Sequence, residues 1–191
     1  MGNFTKKIIK VPTGYIAIND FSAGKLEYLS IGDYGQTKNI KADFLGITEE
    51  INGVPNGEIM PLEEKWVITI STQYGCSMGC TFCDVPKVGR GRNASFEDMR
   101  DQILQAIDLF PEVIWTKRLN VHLARMGEPT FNPAVFDLAE WLCANWGNPA
   151  NGLGIRWETL HPVLTTMMPR RNEMVGDVVA RWWNDAENGV C

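Results

Sequence analysis

The segment STQYGCSMGCTFCDVPKVGRGRN, from Ser71 to Asn93, decides how this sequence is interpreted. It places Cys76, Cys80 and Cys83 in one short stretch with the spacing C-x3-C-x2-C. The run WVITIST, residues 66–72, leads into it, is rich in β-branched residues and predicts a buried strand. In an α/β sheet, active sites form in the loops that follow the carboxyl ends of the strands. The sequence therefore predicts three thiols in a loop at the functional edge of a sheet.

The composition is that of a globular protein, with 191 residues, 45% hydrophobic and 21% charged, and a formal net charge of −5. An acidic chain lacks the basic surface that is typical of a dedicated nucleic-acid-binding protein. No segment reaches the roughly 18 consecutive apolar residues of a membrane span, and the N-terminus lacks the apolar stretch of a signal peptide. We therefore expect a cytoplasmic protein, in which clustered cysteines indicate metal or redox chemistry.

Three strand–loop–helix units follow residue 62 in the pattern of apolar residues. The predicted strands are WVITIST, LNVHLAR and HPVLTTMM, which begin at Trp66, Leu119 and His161. The predicted helices are SFEDMRDQILQAIDLF, PAVFDLAEWLCANW and RNEMVGDVVARWWNDA, which begin at Ser95, Pro133 and Arg171. Strands that alternate with helices indicate a parallel α/β arrangement.

The first 62 residues have a different pattern. Apolar and polar residues alternate from Gly14 to Ile31, with Gly24 at a turn, and predict a β-hairpin. KADFLGI, residues 41–47, predicts a further short strand, and NGVPNGE, residues 52–58, a loop. We therefore divide the chain into a small β-rich region, residues 1–62, and an α/β region, residues 63–191. Three βα units cannot close a barrel, so we expect this sequence to be the N-terminal part of a longer protein.

Three thiolates on one short loop can hold three irons of a cubane iron–sulfur cluster and leave the fourth iron open to another ligand. Gly75 and Gly79 allow the backbone to turn tightly around such a cluster. The alternative is a structural zinc site, which takes four protein ligands and would have to recruit Cys143 or His122. Cys143 lies in an apolar helix pattern and His122 in a predicted strand, where an ordinary core role is the more common one.

The C-x3-C-x2-C motif after the first strand of the α/β region, with Phe82 before its third cysteine, resembles the radical S-adenosylmethionine superfamily. The resemblance implies a partial (β/α)6 barrel, similar to a TIM barrel, in which Cys76, Cys80 and Cys83 ligate a [4Fe–4S] cluster. It also implies that S-adenosylmethionine binds the open iron, and that one-electron reduction cleaves it to methionine and a 5′-deoxyadenosyl radical. A reductant such as flavodoxin or ferredoxin would supply the electron.

A second motif of this superfamily, in ARMGEPTFN at residues 124–132, follows the second strand. By the resemblance, Gly127, Glu128 and Pro129 contact the amino group of the cofactor. A glycine allows close approach of the backbone, and a carboxylate accepts hydrogen bonds from an ammonium group. Thr165 and Thr166, in LTTMMP at the end of the third predicted strand, match the Ser/Thr residues that the family places near the cofactor.

From Gly57 onward, the segments GEIMPLEEKWVITISTQYGCSMGCTFC, GRGRN and RMGEPTFN are similar in order and spacing to the radical rRNA adenine methyltransferases. This resemblance implies RNA as a partner and methylation of carbon-2 or carbon-8 of an adenine. That family uses one cysteine seven residues before the first cluster ligand, where this sequence has Thr69, and a second cysteine far downstream. It also has a helical N-terminal extension in place of the predicted hairpin.

Thr69 favours an alternative, a radical enzyme that acts on a protein or a small molecule, such as a glycyl-radical activase. The basic residues Lys87, Arg90 and Arg92 follow the cysteines in the same segment. Three roles fit them: they offset the charge of a cluster, contact a phosphate, or form an ordinary solvated surface.

Overall fold

The computed structural model describes residues 7–33, 50–51, 54–55, 60–145 and 153–187. The strands are β1 (Lys7–Val11), β2 (Gly14–Phe21), β3 (Gly24–Ile31), β4 (Glu50–Ile51), β5 (Val54–Pro55), β6 (Trp66–Ile70), β7 (Gln73–Gly75), β8 (Arg90–Asn93), β9 (Trp115–Leu123) and β10 (Arg156–Leu164). The helices are α1 (Val85–Val88), α2 (Phe96–Ile107), α3 (Ala134–Ala144) and α4 (Val175–Glu187), with a 3-10 turn at Pro129–Phe131.

Six strands form one mixed sheet in the order β1-β2-β3-β6-β9-β10, which confirms the α/β class. The first three strands pair antiparallel, and β3 also pairs antiparallel with β6. Strands β6, β9 and β10 are parallel to one another. The carboxyl ends of these three strands therefore meet at one edge of the sheet, as the strand–loop–helix pattern predicts.

The predicted hairpin is confirmed, since β2 and β3 pair in register from Gly14 opposite Ile31 to Phe21 opposite Gly24. The sequence pattern did not predict β1, in which Ile8 and Ile9 are 44% and 39% exposed between lysines. The short strand predicted at residues 41–47 lies outside the described residues. Within the predicted loop at residues 52–58, Val54–Pro55 instead pairs with Glu50–Ile51 as a two-residue ladder.

The parallel strands are shifted along the chain relative to the predicted ones. β9 begins at Trp115, four residues before the predicted start, because β10 pairs with it from Arg156 onward. β10 ends at Leu164, four residues before the predicted end. The backbone N–H groups of Met167 and Met168 bond to side chains there instead of to a neighbouring strand. Pro162 is accommodated because β10 lies at an edge of the described sheet, where a missing N–H is tolerated.

The helices follow from their capping residues. Ser95 caps α2 as predicted, in a capping box in which its hydroxyl accepts from the Asp98 N–H and the Asp98 carboxylate accepts from the Ser95 N–H. Pro133 precedes α3, also as predicted. α4 begins at Val175, four residues after the predicted start, because the chain turns first between Pro169 and Asn172.

The main hydrophobic core packs α2 and α3 on one face of the sheet, around the buried side chains of Trp66, Ile68 and Ile70 on β6. A smaller apolar cluster of Leu29, Ile31 and Val67 lies on the opposite face. Alternate residues of β6 thus point to opposite faces and are buried on both. Because β3 pairs with β6, strands from both sides of residue 62 share this sheet. None of the helices in the described ranges is long and apolar enough to cross a membrane.

Candidate functional site

Three loops meet at the carboxyl edge of the parallel strands. The loop after β6 carries Cys76, Cys80 and Cys83 and is called here the cysteine loop, residues 76–83. The loop after β9 carries Gly127, Glu128 and Pro129 and is called the GEP loop, residues 127–129. The segment after β10 carries Thr165 and Thr166.

A small antiparallel ladder of β7 and β8 holds the two ends of the segment that contains the cysteine loop. The Cys76 N–H donates to the carbonyl of Gly89 at 3.1 Å. Gly75 has a φ of +80°, and a Cβ there would lie 2.2 Å from the Gly89 oxygen. A glycine is therefore required at the entry to the loop, in agreement with the expectation that Gly75 allows a tight backbone turn there.

Cys76, Cys80 and Cys83 are free and half-buried. Burial raises the pKa of Cys76, whereas the N–H groups of Met78 and Gly127 favour its thiolate, and the charges of Cys83 and Cys80 act against it. Within the described part of the chain, no three His, Cys, Asp or Glu side chains stand in an arrangement that would hold a metal ion. Phe82 is 81% exposed beside the last cysteine.

The GEP loop approaches the cysteine loop closely. Gly127 has a φ of +100°, and a Cβ there would lie 2.6 Å from the Cβ of Gln73, so no larger residue fits without displacing the backbone. Pro129 is buried and begins the 3-10 turn.

Glu128 is 2% exposed, and its carboxylate receives several hydrogen bonds. Oε1 accepts from the Thr130 N–H at 3.2 Å, the Thr130 hydroxyl at 2.8 Å and the Thr166 hydroxyl at 2.6 Å. Oε2 accepts from the Met167 N–H at 2.9 Å. Since a carboxylate oxygen has two lone pairs, Oε2 retains one acceptor position. No Lys, Arg or His among the described residues forms an ion pair with this carboxylate. A buried carboxylate without a cation is costly, so the site favours a positively charged ligand.

The two threonines after β10 differ. Thr166 is half-buried and bonds to Glu128, and its Oγ1 also accepts from the Met168 N–H at 3.0 Å. Met168 has a φ of +49°, a left-handed conformation that is uncommon for a non-glycine residue. Thr165 is exposed. The structure thus brings Thr166, and not the side chain of Thr165, into contact with the GEP loop.

Several amide side chains at this edge, all buried except that of Asn93, were not predicted. Gln73 bonds to both Ser77 and Glu128, and Asn93 bonds to Gln73. Asn132 donates to the carbonyls of Thr72 and Ala94 at 2.8 and 2.9 Å. Asn172 donates to the Thr130 carbonyl at 2.9 Å. The sequence does not identify these amides as site residues, because their hydrogen-bond partners lie in other loops.

Thr69 is buried in β6, in register with Leu29 on one side and His122 on the other. Burial lowers the pKa of His122, and the nearby charge of Lys65 lowers it further, so its imidazole is held neutral. Burial and the charge of Arg118 also lower the pKa of His161. Cys143 is half-buried on α3 and is disulfide-bonded, so it offers no thiolate to a zinc site and the ordinary core role expected for it is wrong.

The basic residues after the cysteines have ordinary surface contacts. The Arg92 guanidinium lies 5.6 Å from the ring centroid of Tyr74. Lys87 pairs with Asp84, and the two groups are fully exposed. Arg90 is exposed.

Comparison with known proteins gives a consistent result. The model of the Radical SAM superfamily matches residues 70–178. The dual-specificity RNA methyltransferase RlmN of Campylobacter hominis is 36% identical over 95 residues, which are 50% of this chain and 26% of that protein. The probable dual-specificity RNA methyltransferase RlmN of Thermus thermophilus is 40% identical over 76 residues, 38% of this chain and 20% of that protein. The matched segments span about a fifth to a quarter of the length of these relatives. No solved structure matches.

Proposed function

We propose, because the chain belongs to the radical SAM superfamily, that it binds a [4Fe–4S] cluster and cleaves S-adenosylmethionine reductively. When bound, the cluster would pass one electron to S-adenosylmethionine, whose carbon–sulfur bond breaks to give methionine and a 5′-deoxyadenosyl radical. A one-electron donor protein such as flavodoxin or ferredoxin would supply the electron. We also propose that the parallel strands and their helices form part of a (β/α)6 barrel. In this proposal the chain has two regions that divide near residue 62, and the barrel is the C-terminal one.

The observation that carries this proposal is the position of the cysteine loop beside a buried carboxylate. Three free, half-buried thiols lie at the carboxyl edge of parallel strands. The adjoining GEP loop, whose Gly127 backbone reaches Cys76, carries the Glu128 carboxylate, which is 2% exposed and without an ion pair to a described cation. A ligand whose amino group lies between thiolate-held iron and a carboxylate fits this pair of features.

Each residue then has a proposed role. Cys76, Cys80 and Cys83 would ligate three irons once the cysteine loop brings their sulfurs together, because the three thiols do not stand in a metal-binding arrangement in this structure. Glu128 accepts one hydrogen bond from the cofactor ammonium through Oε2. Gly127 and Pro129 shape the loop so that the ligand approaches the backbone. Thr165 and Thr166 lie beside the same ligand, with Thr166 orienting Glu128 through its hydroxyl.

Adenine in RNA is the substrate that we propose, with methylation as the reaction and the cytoplasm as the location. The support comes from the names of the relatives, which are dual-specificity RNA methyltransferases. Thr69 supports a second candidate, hydrogen abstraction from a protein or a small molecule, because a threonine hydroxyl is a far weaker nucleophile than a thiol at neutral pH. Both candidates use the same radical.

Anaerobic reconstitution with iron and sulfide tests the cluster directly. We expect the wild-type protein to bind about four irons and to show the broad visible absorbance of an iron–sulfur cluster. The triple variant Cys76→Ala/Cys80→Ala/Cys83→Ala should lose both. Cys143→Ala is the control and should keep its iron, since Cys143 lies outside the cysteine loop. Equal iron in the triple variant and the wild type would exclude the proposal, and one equivalent of zinc without iron or sulfide in the wild-type protein would favour the zinc alternative.

Product analysis separates the two substrates. With S-adenosylmethionine, a reductant and ribosomal RNA, the first candidate predicts a methylated adenine, detected by mass spectrometry of digested RNA. The second predicts 5′-deoxyadenosine and unmodified RNA. Absence of both products from a protein with a full cluster would contradict the proposed cleavage.

A further inference from the structure

Gln73 joins the cysteine loop and the GEP loop through a single side chain. It begins β7 and is 1% exposed. Its Oε1 accepts from the Ser77 N–H at 3.3 Å and the Ser77 hydroxyl at 3.1 Å. The same oxygen accepts from the Glu128 N–H at 3.1 Å. Ser77 follows the first cysteine and Glu128 belongs to the GEP loop, so one oxygen atom is bonded to both loops.

The other end of the amide is also bonded. Gln73 Nε2 donates to Asn93 Oδ1 at 2.8 Å, and Asn93 Nδ2 donates to the Phe131 carbonyl at 2.7 Å. This second path leads from β8, at the far end of the cysteine segment, to the 3-10 turn after the GEP loop. Gln73 must therefore accept at one end and donate at the other, which a side-chain amide does.

The contact leaves no space for adjustment. A Cβ on Gly127 would lie 2.6 Å from the Cβ and 2.7 Å from the Cγ of Gln73. The backbone of the GEP loop therefore rests directly on the stem of this side chain. Any change in the conformation of Gln73 must move one loop relative to the other, because close-packed interiors transmit such displacements.

We propose that Gln73 is a positioning residue that fixes the separation of the cysteine loop and the GEP loop, so that a cofactor held by one reaches the other. The inference rests on the proposed function, in which the cysteine loop holds the cluster that binds the cofactor and the GEP loop contacts the amino group of the same cofactor. Gln73 acts through Ser77 and Glu128 and contacts neither iron nor cofactor itself. Its loss should therefore weaken cofactor binding more than cluster binding.

The first test needs no cofactor and uses the matched pair Gln73→Leu and Gln102→Leu. Gln102 is also fully buried, and its amide bonds to the N–H and the carbonyl of Ser71, both at 2.9 Å. In Gln73→Leu we expect faster amide hydrogen exchange at Ser77 and Glu128 together, because both lose their acceptor. In Gln102→Leu those two amides should keep their protection. Unchanged exchange at either Ser77 or Glu128 in Gln73→Leu would overturn the inference.

The second test measures the reconstituted protein by equilibrium binding of S-adenosylmethionine and by electron paramagnetic resonance. Gln73→Leu should keep its iron content but bind S-adenosylmethionine about tenfold more weakly, equivalent to about 1.4 kcal/mol. The change that S-adenosylmethionine causes in the electron paramagnetic resonance spectrum of the reduced cluster should weaken along with the affinity. Gln102→Leu should lose stability and keep the wild-type affinity. Equal loss of affinity in both variants would show a general folding defect and overturn the inference.

The conservative variant Gln73→Glu guards against failure of Gln73→Leu to fold. It keeps the acceptor for Ser77 and Glu128, so protection of both amides should persist; fast exchange at both in a folded Gln73→Glu protein would contradict the role assigned to Oε1. If the wild-type protein takes up iron but binds no S-adenosylmethionine, the proposed function is wrong and so is the positioning role. Joint protection of Ser77 and Glu128 would still establish the connection between the loops.

Discussion

At the scale of single residues, the environment of Glu128 separates two threonines that the sequence treats alike. The Thr166 hydroxyl lies 2.6 Å from Glu128 Oε1, whereas the Thr165 side chain is exposed. A hydrogen bond to a buried charge contributes about 1.5–3 kcal/mol. Thr166→Val removes that donor at nearly constant shape, and we expect the free energy of unfolding to fall by about that amount in urea titration.

Thr165→Val is the matched control for this prediction. An exposed substitution of this kind changes the free energy of unfolding by about 0.5 kcal/mol or less. If both valine variants lose the same stability, the bond between Thr166 and Glu128 does not contribute in solution.

The sequence predicted the residue types of the site better than their contacts. The cysteines and Gly127 were found because their chemistry and spacing are specific. Gln73 was not found, because its partner Glu128 is 55 residues away and an isolated glutamine carries no signal of its own. A contact between two loops depends on how the sheet brings them together, and a local pattern does not contain that information.

At the scale of elements, the N-terminus of α2 is fastened to the β2–β3 turn by Asp98. Its carboxylate accepts from the Ser22 hydroxyl at 2.9 Å and the Ser22 N–H at 3.3 Å, in addition to closing the capping box with Ser95. Burial of Asp98 opposes ionisation, yet hydrogen bonds from Tyr74, Ser95 and Ser22 hold its pKa below the ordinary value.

Asp98→Asn should therefore destabilise the protein in a pH-dependent way. A carboxyl group with a depressed folded-state pKa stabilises the fold above its unfolded-state value of 3.8, and the contribution is lost as pH falls through the folded-state value. We expect a loss of about 1–3 kcal/mol at neutral pH, with the difference from wild type narrowing toward acid. Urea titrations at about pH 7 and about pH 3, the second below the unfolded-state pKa, measure this narrowing.

Asp101→Asn on the same helix is the control for Asp98→Asn. Asp101 pairs with its neighbour Arg100 at a partly exposed position, and such pairs contribute about 0–1 kcal/mol. A constant difference between Asp98→Asn and wild type across this pH range would contradict the assignment.

Element boundaries show where sequence patterns fail. The sequence located α2 to within a few residues, because apolar periodicity marks the helix and the capping residues Ser95 and Asp98 mark its start. The ends of β9 and β10 were displaced by several residues, because a strand ends where its partner stops pairing. The Arg125 N–H still donates to the Ile70 carbonyl after β9 has ended, which explains why the pattern appeared to continue.

At the scale of the whole molecule, the β-rich N-terminal strands and the parallel strands form one sheet, and they share one core. Ala17, Leu26 and Tyr28 from the first strands belong to the same buried cluster as Trp66 and Met99. The division near residue 62 remains a prediction. Because residues from both sides of it share one core, the two regions are expected to depend on each other for stability. The two regions should unfold together.

Leu26→Ala tests this cooperativity, because all seven tryptophans of the chain follow residue 62. Tryptophan fluorescence therefore reports on the second region, while the mutation lies in the first, at a side chain that is fully buried. Truncation of a buried leucine costs about 2–5 kcal/mol, and we expect the fluorescence midpoint and the far-ultraviolet circular dichroism midpoint to fall by the same amount. Ile9→Ala, at a position 39% exposed on β1, should shift neither by a comparable amount. In a cooperatively folded protein, a mutation that destabilises the shared core lowers the unfolding midpoint seen by every probe. A fluorescence transition that stays at the wild-type midpoint would therefore show that the two regions fold independently.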